Sequence, residues 1–406
     1  MYAISFLGVA VVSSLSSSAH AAQSHPLFDY EVNVLTDESL STLLNSKGSE
    51  HVNYLFPFGN GSSPNPDLLR SGACKVFPGD ENWPSPPTWD SFSGILGGAL
   101  IKTVPLAAVC YNNLGVYDET MRATVRDAFT NQYTHENGPT SVFWPLFQGR
   151  TCMPTEDPSE TCTHGGSPVY AVNVSSVAQI QLAVNFARNA NLRLVIKNTG
   201  HCYLGKSNGV GALSVWTHNL KDIEFYERLE IPGYTGRATK VGAGVTVREV
   251  YEEADRNGVS ALGGICENVG YAGGYIAGGG HTSLSGLYGM AADHVMALEL
   301  VTADGRLITA SPEENPDLFW ALRGGGGSTF GIVTSVIIRV HPQVPVVASE
   351  FSFETSANIS GDSFWQGFRA FVELSIPLTD AGTYSFWNIV TPSPTILRSE
   401  SYHRVV

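Results

Sequence analysis

Gly263-Gly264-Ile265-Cys266-Glu267-Asn268-Val269-Gly270-Tyr271-Ala272-Gly273-Gly274-Tyr275-Ile276-Ala277-Gly278-Gly279-Gly280-His281 is the stretch on which the fold turns. Glycine has no Cβ, so its backbone approaches a ligand closely or adopts positive φ. Successive amides in such loops form concavities suited to a pyrophosphate. A flexible linker would carry more Ser and less Val, Ile and Tyr. The stretch therefore reads as a ligand-cradling loop.

Regular elements flank it on both sides. Upstream, Lys240 to Val245 reads as a strand, and Thr246-Val247-Arg248-Glu249 as a capping box. Val247, Val250, Tyr251 and Ala254 share one helical face that stops at Gly258. Further upstream, strand Tyr170–Val172, a helix capped by Ser175 or Ser176 with Val177, Ile180, Val184 and Ala187 inward, and strand Leu192–Ile196 form a βαβ unit. Downstream, Val295–Thr302 and Arg306–Ala310 flank the turn Ala303-Asp304-Gly305. A short helix is expected from Pro316 to Leu322, then Arg323 and Gly324–Gly327, then a β-run from Ile332 to Val340. A parallel α/β part thus precedes a more antiparallel one. Residues before 160 read as an irregular, Pro-punctuated lead-in, and the tail from 346 carries few clear signals.

Gly200-His201-Cys202-Tyr203-Leu204-Gly205-Lys206-Ser207 matches the P-loop pattern letter for letter. That motif needs a helix beginning at Lys-Ser, with its amides on the phosphates. Here Asn208-Gly209-Val210-Gly211 follows, which is poor helix material. Nucleotide hydrolysis stays as a second class of function, tested at Lys206. A dinucleotide fingerprint fails because Gly242-Ala243-Gly244 lacks its third glycine, and no G-x-S-x-G elbow occurs. His201 and Cys266 remain, on two separate Gly-rich loops near strand ends.

Composition bounds the partners. The 406 residues are 43% hydrophobic and carry a net charge of −14, so phosphate backbones repel the chain and nucleic acid is excluded as an expected partner. Residues 1–21 read as a secretory signal peptide, with an apolar run from Ala3 to Val12 and the cleavage site Ala19-His20-Ala21. No stretch reaches the ~18 apolar residues of a membrane span. Sequons at Asn60, Asn173 and Asn358 fit a glycosylated, secreted protein. In an oxidising compartment cysteines pair by default. Cys152–Cys162 is the first expected pair and Cys74–Cys110 the second, while Cys202 and Cys266 form a third disulfide or belong to a site. No C-x-x-C supports zinc.

Across residues 165–345 these features resemble the FAD-linked oxidases with a PCMH-type FAD-binding domain. That is the vanillyl-alcohol oxidase superfamily, and within it the berberine bridge enzyme-like group. The resemblance rests on Tyr170–Ile196, Lys197-Asn198-Thr199-Gly200-His201, Gly264-Ile265-Cys266 through His281, Tyr288-Gly289-Met290-Ala291-Ala292-Asp293, Val301-Thr302-Ala303-Asp304-Gly305, and Leu318-Phe319-Trp320-Ala321-Leu322-Arg323 with its glycines to Gly331. Cys74-Lys75-Val76-Phe77-Pro78-Gly79-Asp80 also resembles secreted fungal members.

The resemblance implies an α+β fold. It comprises a lead-in at 22–162, an FAD-binding domain of two α/β subdomains at 163–345, and a partial, truncated substrate-binding domain at 346–406. It implies FAD held by Asn198, Thr199, Gly200, His201, Tyr203, Cys266, Gly270, Gly274, Gly279, Gly280, His281, Gly331 and Val333. His201 would bond the flavin 8α-methyl and Cys266 flavin C6. Cys202 after His201, and Glu267-Asn268 where Pro-Thr is common, depart from the family pattern. The implied reaction is hydride transfer from a small organic substrate to flavin, with O2 as acceptor and no base assigned. Fungal secondary metabolites, alkaloids such as those of the ergot pathway among them, are the expected substrates. An alcohol or carbohydrate oxidase and an inert flavin-binding remnant are the alternatives.

Overall fold

The computed structural model describes residues 26–60, 74–390 and 396–404. The expected signal peptide lies outside them. The first sheet contains β1 (Leu100–Lys102), β2 (Tyr170–Asn173), β3 (Leu194–Lys197) and β4 (Leu213–Trp216), in the order β1-β2-β4-β3. β2 and β3 both run parallel to β4. The strands of the expected βαβ unit are therefore not neighbours: β4 lies between them. All four of its residues, Leu213-Ser214-Val215-Trp216, are buried, as a central parallel strand requires.

Helix Val177–Asn189 joins β2 to β3, and the Ser176 hydroxyl accepts from the Gln179 amide at its start. Leu182 and Phe186 are buried as well as the predicted inward face. The lead-in explains this, because it covers the helix's outer side. Phe92 stacks on Phe186 at 4.1 Å and Phe56 lies 5.8 Å from it. β1 also comes from the lead-in and pairs Leu100 with Val172. The lead-in thus adds an edge strand and core side chains to the first subdomain.

The second sheet is antiparallel throughout. It contains β5 (Ile223–Ile231) and β6 (Tyr234–Gly242), and later β8 (Val295–Val301), β9 (Leu307–Ala310) and β10 (Ile332–Arg339), in the order β5-β6-β10-β8-β9. Between these, β7 (Val259–Ser260) pairs with β11 (His341–Pro342). The hairpin β8–β9 turns where the sequence expected. The capping box holds helix Val247–Arg256: Glu249 Oε2 accepts from the Thr246 amide at 2.7 Å.

The N-terminal segment closes on this second sheet. Glu31 and Lys240 form an ion pair at 2.6 Å with both side chains fully buried. Thr334 donates to Glu31 at 2.7 Å, and the Tyr30 hydroxyl donates to the Thr334 carbonyl at 2.9 Å. After residue 345, β12 (Val346–Glu354), β13 (Tyr384–Val390) and β14 (Ile396–Arg404) form a third sheet, ordered β12-β14-β13. Helix Gly361–Asp380 buries Phe364 and Phe371 against it.

Cys152 and Cys162 are bonded as expected. The second expected pair is corrected. Cys110 is buried in a cluster with Ala107, Tyr111, Val125 and Phe129. Cys74 is exposed beside Asn191, at the edge of the first subdomain, and neither is bonded. Among the described residues no helix is long and apolar enough to cross a membrane.

Candidate functional site

The C-terminal end of β3 delivers the loop Asn198–Gly205. Gly200 has φ +92°, and a Cβ there would lie 3.1 Å from Val142 Cα and 3.2 Å from the Ser141 carbonyl. Only glycine lets the strand end turn this tightly under residues 138–144. The Phe143 amide donates to the Gly200 carbonyl, and the Phe143 ring stacks on His201 at 5.2 Å.

The second loop, 262–270, follows β7 and is tied to the start of helix Val247–Arg256. The Val247 amide donates to Val269 and the Arg248 amide to Glu267. Asn268 is buried here, and its Oδ1 lies 2.7 Å from His201 Nε2. That contact joins the His201 and Cys266 loops across 67 residues of sequence. Cys266 is exposed two residues earlier, and Cys202 is half-buried; neither is in a disulfide.

Backbone donors line both loops. Among the described residues the amides of Gly200–Leu204 and Gly263–Asn268 bond no protein acceptor. Two rows of unsatisfied donors suit a ligand rich in acceptors.

Electrostatics favour a neutral imidazole at His201. Burial lowers its pKa, and nearby His135 and Lys197 lower it further against the Asn268 bond. Lys197 is itself fully buried under the loop. Its ammonium donates to the carbonyls of Gly138 at 2.7 Å, His135 at 3.1 Å and Glu136 at 3.3 Å. Burial pushes its pKa down to about 7 against the opposing charge of Glu136.

A third loop completes the cradle. Residues 271–275 make a π-helical turn, and Gly279 and Gly280 follow at φ +101° and +74°. The Gly326 amide donates to Ala277, and a Cβ on Gly327 would sit 2.8 Å from the Gly273 carbonyl. Lys206 reaches over from the first loop to Thr329 at 3.0 Å. Turns, not a helix, follow Ser207, so the P-loop reading fails on its own structural requirement.

The other expected site residues divide. Thr199 is buried, Tyr203 is exposed against Trp144, and no atom lies near a Cβ built on Gly274. His281 packs on Tyr384 of β13 at 5.4 Å. The Asn198 side chain is occupied by the protein: Nδ2 donates to Ala243 at 2.5 Å and Oδ1 lies 3.2 Å from His218 Nδ1. A Cβ on Gly270 would stand 2.1 Å from that Nδ2, so the two residues lock together. Gly331 and Val333 are packing positions, the first against Leu300 and the second in the core beside Gly273. Reading the sequence missed the bracing role of Lys197 inside the Lys197–His201 run, and it missed Phe143 and Tyr384, which lie far from the motif. Asn268 stood inside it, visible only as a departure from the family pattern.

An FAD binding domain model matches residues 168–311. The FAD-linked oxidoreductase ZEB1 of Gibberella zeae is 42% identical over 334 residues, covering 82% of this chain and 58% of that protein. The FAD-linked oxidoreductase sthB of Phaeosphaeria nodorum is 46% identical over 245 residues, covering 60% of this chain and 78% of that protein. The crystal structure of the VAO-type flavoprotein MtVAO615 from Myceliophthora thermophila superposes with TM-score 0.76 at 43% identity, covering 82% of this chain and 60% of that one. The chain thus spans under three-fifths of the length of ZEB1. The donor-lined loops have polarity suited to the flavin and its pyrophosphate, and the buried amide nitrogen of Asn268, without a close hydrogen bond, lies among them. Fold, site and sequence agree: this chain belongs to the VAO-type FAD-linked oxidoreductases.

Proposed function

We propose that this chain is the flavin-holding part of a secreted oxidase that takes a hydride from a small organic substrate and passes the electrons to dioxygen. The observation that carries the reading is the 2.7 Å bridge between His201 and Asn268, which brings the two expected attachment loops to one place. The bound flavin supplies the two-electron acceptor. The chain supplies the rest. The amides of Gly200–Leu204 and Gly263–Asn268 hold anionic and carbonyl oxygens. His201, kept neutral by burial, presents a lone pair, and Cys266 presents an exposed thiol on the facing loop. Phe143 backs the imidazole and keeps water from that face. His281, at the end of the glycine-rich loop, packs against Tyr384 of the third sheet.

The Cys152–Cys162 disulfide and the exposed sequon residues Asn60 and Asn358 support an oxidising, secretory route; Asn173 is half-buried at the end of β2. The relatives are fungal, and one 38% identical over 314 residues is a bifunctional decalin synthase of Penicillium decumbens. That name supports a secondary metabolite, an alkaloid among the classes to try, as substrate.

The test is simple. Purified protein should be yellow and stay yellow after acid precipitation. H201A and C266A should each keep acid-stable colour, and the double variant should release it. Colourless protein after incubation with FAD overturns the reading, and complete acid release from the wild type overturns covalent attachment. A true substrate should bleach the flavin without air, and admitting air should restore the colour with one H2O2 per turnover.

A further inference from the structure

We infer that Asn268 is a positioning residue that decides which ring nitrogen of His201 is open for bonding, holding Nε2 and leaving Nδ1. The inference rests on the proposed flavin attachment at His201 and concerns how that attachment is aimed.

Three observations carry it. Asn268 Oδ1 lies 2.7 Å from His201 Nε2, which calls for a proton on Nε2. A neutral imidazole protonated at Nε2 carries its lone pair on Nδ1. That Nδ1 has no hydrogen-bond partner among the described residues. Finally, Asn268 Nδ2 is buried without a close hydrogen bond and faces the Glu136 carboxylate. An amide side chain with a spare donor in a closed site serves two states of its neighbour. Turned one way it accepts from Nε2–H, and turned over it donates to a bare Nε2.

Both states arise during attachment. A flavin C–H bond and the histidine N–H bond are replaced by one C–N bond. The two electrons and two protons released reduce the ring, and the dioxygen of the proposed reaction removes them as H2O2. Before this exchange Nε2 carries the proton; afterwards it does not. Asparagine keeps a hydrogen bond to Nε2 throughout, by a half-turn of its amide. Aspartate only accepts, and it favours a charged imidazole. Leucine does neither.

The experiment expresses the full chain as wild type, Asn268→Leu and Asn268→Asp. Mass spectrometry measures the flavin carried by the His201 and Cys266 peptides, and NMR of the His201 flavopeptide identifies the bonded nitrogen. The wild type should be bonded through Nδ1. Asn268→Leu should lose at least tenfold in flavin at His201, or give a mixture of Nδ1 and Nε2 adducts, with Cys266 still loaded. Asn268→Asp should bond through Nδ1, with a yield that falls as the expression pH is lowered. A wild type bonded through Nε2 overturns the inference, as does Asn268→Leu loaded fully through Nδ1. Should Asn268→Leu fail to fold, Asn268→Asp decides: a pH profile matching the wild type overturns the inference. A wild type with no covalent flavin at either residue overturns the proposed function instead.

Discussion

The lock between Gly270 and Asn198 shows how little room single residues have around this site. An alanine methyl at Gly270 would fall 2.1 Å from Asn198 Nδ2, and that amide cannot yield without breaking its bond to Ala243. G270A should therefore destabilise the chain by about 2–4 kcal/mol in urea unfolding and lower bound FAD in parallel. Lys197 is under a similar constraint. K197M removes the donor of three carbonyls in a buried place and should cost about 3 kcal/mol or more by the same measurement. At this scale the sequence was only half legible. Asn198 stands on the His201 loop as expected from its sequence position, yet its side chain bonds Ala243 and His218. Lys197 read only as the first residue of the Lys197–His201 run after a strand, because nothing local announces acceptors that arrive from about sixty residues upstream.

Elements with strong local grammar were the readable ones. The Thr246 capping box, the β8–β9 turn and the start of helix Pro316–Leu322 are written in a few adjacent residues and fold as those residues dictate. T246A should cost about 1 kcal/mol of stability in chemical unfolding. Elements that depend on tertiary cover were not readable. β5 has only Leu229 buried among nine residues and carries four charges, so no alternation marks it. Helix Gly361–Asp380 begins with glycine and contains Pro377, and is held by Phe364 and Phe371 rather than by propensity. The Gly200–Ser207 loop is the converse case, a correct string of letters without its helix. Lys206 ties that loop to Thr329, so K206A should leave Mg-ATP binding undetectable, as in the wild type, by calorimetry.

For the molecule as a whole, buried histidines set the response to acid. Burial holds His218 and His294 down to about 4. Unfolded histidine takes up its proton nearer pH 6.5, so between pH 6.5 and 4 the unfolded chain binds more protons and stability is lost as pH falls. Each contributes up to about 1.4 kcal/mol per pH unit in that window. Glu299 acts oppositely: burial raises it from 4.5 to about 8, so its contribution is lost as pH rises across that range. The informative experiment compares slopes, and H218Q should unfold with a shallower acid dependence than the wild type by up to one proton. The Cys152–Cys162 disulfide, with a sequence separation of 10, outlasts these titrations. Replacing both cysteines with alanine should cost about 2–3 kcal/mol by thermal unfolding. The N-terminal latch has a different kind of consequence, in time rather than in energy. Tyr30 finds its acceptor 304 residues later, and Glu31 can be buried only beside Lys240 and Thr334. At ribosomal speeds of about 5–20 residues per second, that wait lasts about 15–60 s. Until then a carboxylate that cannot be buried alone holds the first segment in water. The groove on β6 and β10 that it will fill stays open, so a segment made early docks only after Thr334 has been made.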